Sequence, residues 1–110
     1  MSERIEVAHH PERGRYVITV DGVEAGFAEY RSRAGGTRLD FFHTEIDPAF
    51  GGRGLGGTLV STALAEARAA GRTIIPRCPF VAAWLTRHPG FEGAVEWPPG
   101  TGPDATRTTD

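Results

Sequence analysis

The sequence predicts an α/β fold of the α+β kind: a mixed, mostly antiparallel sheet with flanking helices. Three observations predict it. The first 46 residues read as short strands separated by turn residues. A helical repeat of apolar residues starts abruptly after a glycine cluster at position 51. A short apolar strand and a second helix, opened by Pro79, follow.

The strands come in order. Ile5 and Val7 alternate with polar neighbours and mark a weak first strand. Tyr16 to Val20 is aromatic and β-branched, and Asp21-Gly22 is a strong two-residue hairpin turn. Val23 to Tyr30 returns, with Val23, Ala25, Phe27 and Glu29 expected on one face. Gly35-Gly36 makes the next turn. Leu39 to Ile46 is the fourth strand and ends at Asp47-Pro48, since Pro cannot extend a central strand.

Leu55, Leu59, Val60, Ala63, Leu64 and Ala67 then follow helical spacing, with Gly71 as the stop, a helix of about 16 residues. Thr73-Ile74-Ile75 forms the next strand. A crossover of this length makes strands 39–46 and 73–77 parallel. The second helix runs from Pro79 to His88-Pro89-Gly90. Residues 1–97 form one domain, and 98–110, rich in Pro, Gly and polar residues, are expected to be a disordered tail.

Composition narrows the function. The net charge of −2 gives no electrostatic case for nucleic-acid or anionic-membrane partners. All 12 basic side chains are Arg, so a Schiff-base or Walker lysine is excluded. A single cysteine, Cys78, fits a reducing compartment. No apolar run follows the N-terminus or is long enough to span a bilayer, and the expected location is cytoplasmic. His9 and His10 lack metal-ligand spacing, so no metal is expected.

The chemistry concentrates at Gly51-Gly52-Arg53-Gly54-Leu55-Gly56-Gly57, between a strand and a helix. Glycines let successive backbone N–H groups turn into one concavity at a helix N-terminus, where the dipole favours an anion. Arg53 adds charge. A phosphate or pyrophosphate is the natural ligand; a flexible turn with no ligand is the alternative. A dinucleotide fold would need parallel strands before the glycines and an acidic residue about 20 positions on, where Pro76 stands.

The run from His43 to Val60 resembles motif A of the GNAT acetyltransferase superfamily. Ile75-Pro76-Arg77-Cys78-Pro79-Phe80-Val81 and Trp84-Leu85-Thr86-Arg87-His88-Pro89 resemble its short YjdJ-type subgroup. The likeness spans about residues 14–97. It implies acetyl-CoA as cosubstrate, lying where two central parallel strands splay apart. Pantetheine would pair with backbone near Ile46, and the amides of Gly51, Gly52, Arg53, Gly54, Leu55, Gly56 and Gly57 would hold the pyrophosphate. The motif's opening Gln/Arg is Gly51 here, the early helices that shape the acceptor side are missing, and the second helix carries no tyrosine.

Three residues are catalytic candidates. Cys78 precedes Pro79 at a helix N-terminus, where the dipole favours thiolate. It is either a buried small hydrophobe or, as the resemblance suggests, an acetyl relay or an acid for the leaving thiolate. His43 and Glu45 share one strand face, and either could deprotonate an acceptor ammonium, unless that face is simply solvated. The expected activity is transfer of acetyl to an amine on a small molecule or peptide. A non-catalytic acyl-CoA-binding module is the alternative, and a nucleotide- or other phosphate-binding domain is a third reading.

Overall fold

The computed structural model describes residues 3–102. Five strands form one sheet in the order β1 (Ile5–His10), β2 (Arg15–Val20), β3 (Val23–Arg33), β4 (Arg38–Ile46), β5 (Thr73–Pro76). The first four are antiparallel neighbours, and β5 is parallel to β4. Helix α1 (Leu55–Ala69) connects β4 to β5, and α2 (Pro79–Arg87) follows β5. This is the mixed, mostly antiparallel α+β architecture that the sequence predicts.

Local chemistry explains the elements. Asp21 and Gly22 both adopt positive φ, 50° and 82°, the turn whose twist matches a tight hairpin. Asp21 also ties the hairpin to the N-terminal segment, its amide donating to Arg4 O (2.8 Å) and its carboxylate accepting from Arg4 N (2.9 Å). In α1, Leu55, Leu59, Val60, Ala63, Leu64 and Ala67 are buried, one stripe at helical spacing. That stripe packs on Tyr16, Ile18, Tyr30, Leu39, Phe41 and Ile74, which line one face of the sheet. Cutting Leu59 or Leu64 to Ala in this packed layer would cost about 2–5 kcal/mol.

The strand faces differ from strict alternation. Ala25 is buried in the core with Ala28 and Tyr30, whereas Phe27 and Glu29 lie on the opposite face. A bulge places Ala25 between the pairs Thr19–Glu24 and Ile18–Gly26, and one extra residue inverts the alternation. A second bulge at Phe42 lies between the pairs Tyr30–Phe41 and Glu29–His43. Phe41 therefore faces the core beside Leu39, while Asp40, His43 and Glu45 face away from α1. Strand β3 also runs three residues further than expected, to Arg33, which brings Arg31 and Arg33 into the sheet.

The parallel pairing is short. It runs from Arg38–Thr73 to Phe41–Pro76 and is closed by the Cys78 amide donating to Phe41 O (2.8 Å). From Phe42 on, β4 has no strand beside it there, because the chain turns into α2. The outer edge of β5 is covered by residues 94–96, through Ile74 N to Ala94 O (2.9 Å) and Glu96 N to Ile74 O (2.8 Å). Beyond Trp97, Pro98 is buried and Thr101 turns back to bond its carbonyl; positions 103–110 of the expected tail lie outside the described residues.

Candidate functional site

The site grows from the junction of β4 and α1. Asp47 caps a single turn by accepting from the Ala49 amide (2.9 Å), and Gly51 N bonds Pro48 O (3.1 Å). The next six residues behave differently. Among the described residues, no amide from Gly52 to Gly57 donates to a protein acceptor; the ladder of α1 begins with Thr58 N to Gly54 O (3.3 Å). Gly52 and Gly54 hold φ of 76° and 74°, a conformation that glycine alone adopts without strain. Consecutive unpaired N–H groups at a helix N-terminus make a concave anion cradle.

The cradle borders a cavity of about 240 Å³ lined by Ile46, Phe50, residues 51–57 and Phe80. Phe80, from the first turn of α2, is 40% exposed and lies so close to Gly56 that a Cβ there would fall 2.6 Å from its ring. Thus Gly56 admits the aromatic wall of the cavity. Beside it, a groove of about 530 Å³ runs between the helices, lined by Gly54, Gly57, Thr58, Ser61, Trp84 and His88, among others. Trp84 stacks on His88 with ring centres 4.0 Å apart, and His88 Nδ1 bonds Trp84 O (2.7 Å), which also closes α2.

The loop residues and Ile46 come together as one surface. Arg53 ion-pairs with Glu3, and its guanidinium lies 5.9 Å from the Phe50 ring centre. Its charge is therefore shared with a carboxylate from the N-terminal segment. Cys78 is the N-cap residue of α2 with Pro79 in the first turn, and it is buried at 4% exposure. Its thiol donates to Thr44 Oγ1 (3.4 Å) on the core side of β4. His43 and Glu45 are exposed on the other face and bond each other (3.0 Å). The structure does not bring them to Cys78: β4 separates them from the thiol, so the three do not form one nucleophile–base pair.

Nothing in the sequence singles out Phe50 and Phe80 for the cavity, nor Thr58 and Ser61 for the groove, whereas Trp84 reads as core or cleft wall and His88 as the close of its helix. Part of that signal was readable, since Thr58 and Ser61 on α1 and Trp84 and His88 on α2 lie at helical spacing. What placed them opposite each other is tertiary packing. Of the aromatic residues Tyr16, Phe27, Phe41, Phe42 and Trp84, which by type read as core or cleft wall, Phe27 and Phe42 are the exceptions. They lie on the face away from α1, under Arg15 (4.0 Å) and Arg31 (4.3 Å).

Residues 15–94 match the family model described as GCN5-related N-acetyl-transferase. The chain belongs to this family. Acetyl transfer is accordingly its general activity. Among solved structures it is similar to the NMR solution structure of a GCN5-like protein from Staphylococcus aureus. That likeness has a TM-score of 0.62 at 20% identity and covers 84% of this chain and 89% of the other. At such identity it shows the fold alone: the five-stranded sheet and two helices are those of a GNAT-like protein. No curated protein matches the chain. Among the described residues, no helix is long and apolar enough to cross a membrane.

Proposed function

We propose that the chain transfers acetyl from acetyl-CoA to a primary amine on a small molecule or peptide. The observation that carries this reading is the row of six unbonded amides from Gly52 to Gly57 at the start of α1. A pyrophosphate supplies two adjacent anionic groups that such a row fits. Pantetheine would leave the cavity along β4 past Ile46, where the strand has no neighbour on its β5 side beyond Phe41. The adenosine end would lie in the groove between the helices, against Trp84 and His88, with Arg87 at its border.

Transfer needs a neutral amine, a thioester carbonyl held in reach, and a place for the ammonium proton. The amine nitrogen attacks the carbonyl carbon, the carbon–sulfur bond breaks, and CoA leaves as thiolate. Glu45 or His43, on the solvent-facing side of β4, takes the ammonium proton. Cys78, at the start of α2, protonates the leaving thiolate or first accepts the acetyl group itself.

A non-catalytic acyl-CoA-binding module is the second reading. The observation favouring it is the division of Cys78 from His43 and Glu45 across β4. Release of free CoA thiol in the presence of acetyl-CoA and a panel of amines decides between them. Turnover supports the transferase, while tight binding with no thiol release from any amine supports the module.

A further inference from the structure

The sheet face away from α1 carries a second feature that the acetyl-CoA reading does not use. Asp40 is the one charged residue fully buried among the described residues, at 0% exposure. Two arginines hold it. Arg33 Nε donates to Oδ2 (3.0 Å), and Arg77 Nε lies 3.1 Å from both Oδ1 and Oδ2. Their side chains remain 46% and 49% exposed.

One guanidinium suffices to pair a buried carboxylate, and a bidentate fork would do it best. Here two are used, each spending only its Nε on Asp40. Among the described residues, their terminal Nη groups have no protein acceptor. Arg31, in register with Asp40 on the neighbouring strand, lies over the Phe42 ring with no carboxylate partner among the described residues. Arg38, beside them, is offset by Glu96 (3.4 Å). Four guanidiniums thus face two carboxylates, a local positive excess on a chain whose net charge is −2.

The place of this cluster matters. Asp40 and Phe42 flank Phe41, the last β4 residue paired with β5, and Arg77 follows Pro76, the last residue of β5. The cluster therefore rims the point where the two strands part, on the face with no helix. Anchoring through Nε fixes the guanidinium planes in advance, so less freedom is lost when an oxyanion binds.

We propose that Arg33 and Arg77, with Arg31 at the rim, form an acceptor subsite, so that the amine acetylated by this protein also carries an oxyanion, as carboxylate or phosphate. This rests on the acetyl-transfer reading for the word acceptor, but not for the binding of the anion. The anion would sit against the free Nη groups and hold its amine at the mouth of the splayed strands. Neutral amines and polycations lack that attachment, and polycations are repelled.

The test uses matched probes: phosphoethanolamine against ethanolamine, β-alanine against propylamine, and spermidine as the polycation. Binding is followed by NMR shifts, with and without acetyl-CoA, and turnover by thiol release. The anionic member of at least one pair should bind the cluster, and the phosphate or carboxylate pair that responds names the source of the oxyanion. Its half-saturating concentration should rise about tenfold or more in Arg77→Met and in Arg33→Met, the loss expected of a charge-assisted contact. Arg31→Met, which leaves Asp40 and its partners intact, should weaken binding even if the other two variants fold poorly. Acetyl-CoA affinity should be unchanged in all three. Equal binding of charged and uncharged partners, preference for spermidine, no binding by either anion, or anion binding indifferent to Arg31→Met would overturn the proposal. Anion binding that persists in a protein showing no acetyl-CoA binding would sink the acetyl-transfer reading and leave the anion site standing.

Discussion

Gly54→Val separates the fold from the anion cradle. Gly54 holds φ of 74° at the N-cap of α1, and a Cβ there would meet nothing within 4 Å. The fold loses no packing, so the damage to stability is conformational: about 1–3 kcal/mol for a non-glycine residue in this region. For a domain of this size each kcal/mol moves the midpoint by roughly 4–8 °C, so Tm should fall by roughly 4–24 °C. The same side chain points into the open space that the amides border, and it should exclude a pyrophosphate. Gly57→Ala is the companion variant. Gly57 sits in the first turn of α1 with open space at its Cβ, so alanine should leave the fold as stable or raise it by up to about 1 kcal/mol. Its methyl group nonetheless intrudes on the same cradle. Differential scanning fluorimetry with and without acetyl-CoA reads both effects. The expected result is a lowered Tm for Gly54→Val and an unchanged or raised Tm for Gly57→Ala, with the ligand-induced shift lost in Gly54→Val and reduced in Gly57→Ala. A full acetyl-CoA shift in a folded Gly54→Val would refute the placement of the pyrophosphate.

Other expectations follow from the same geometry. Acetyl-CoA at about 100 times its dissociation constant should add roughly 2.7 kcal/mol of stability and shift Tm by roughly 10–20 °C, whereas ATP and NAD should not. Cys78→Ala should keep acetyl-CoA binding and lose most thiol release; intact-mass spectrometry after incubation with acetyl-CoA alone gains one acetyl group if Cys78 is a relay, and full turnover by the variant would remove the thiol from the mechanism. The His9 ring stacks on Tyr16 and bonds the Tyr30 hydroxyl, and burial above all holds its pKa below the ordinary 6.5. Between that lowered value and 6.5 the unfolded chain binds more protons, so stability is complete above 6.5 and falls as pH drops through this window. Urea midpoints from pH 7.5 to 4.5 should show this slope flattened in His9→Gln, and an unaltered slope would assign it to other groups. Tyr16, raised to about 12 by burial foremost, should stay protonated throughout.

Much of the fold was legible because it rests on local rules. Asp21-Gly22 specifies a hairpin by its positive φ values, and the stripe from Leu55 to Ala67 specifies a helix with one buried side. Glycines at 52 and 54 likewise announce the conformation they hold. The two bulges were not legible, since whether Ala25 or Phe42 is the extra residue depends on which partner strand pairs with it. That error carries into the faces: Phe27 reads as a core residue until the register is known. The same limit hid the Arg33–Asp40–Arg77 cluster, whose members come from three strands or their ends and meet only across the sheet. The groove facing Trp84 and His88 was hidden because nothing local fixes how α2 packs on α1. Cys78 was placed at the start of α2 by Pro79 alone, but its turn toward Thr44, away from His43 and Glu45, needed the sheet.

The central claim is that the amides from Gly52 to Gly57 receive the pyrophosphate of acetyl-CoA. A titration of uniformly ¹⁵N-labelled protein with acetyl-CoA, followed residue by residue in amide correlation spectra, tests it most directly. Accepting the pyrophosphate should shift the amides of residues 52–57 downfield, with smaller changes at Ile46, Phe80 and Trp84. Binding that leaves the 52–57 amides unmoved, with the changes gathered instead around Arg33 and Arg77, would contradict it.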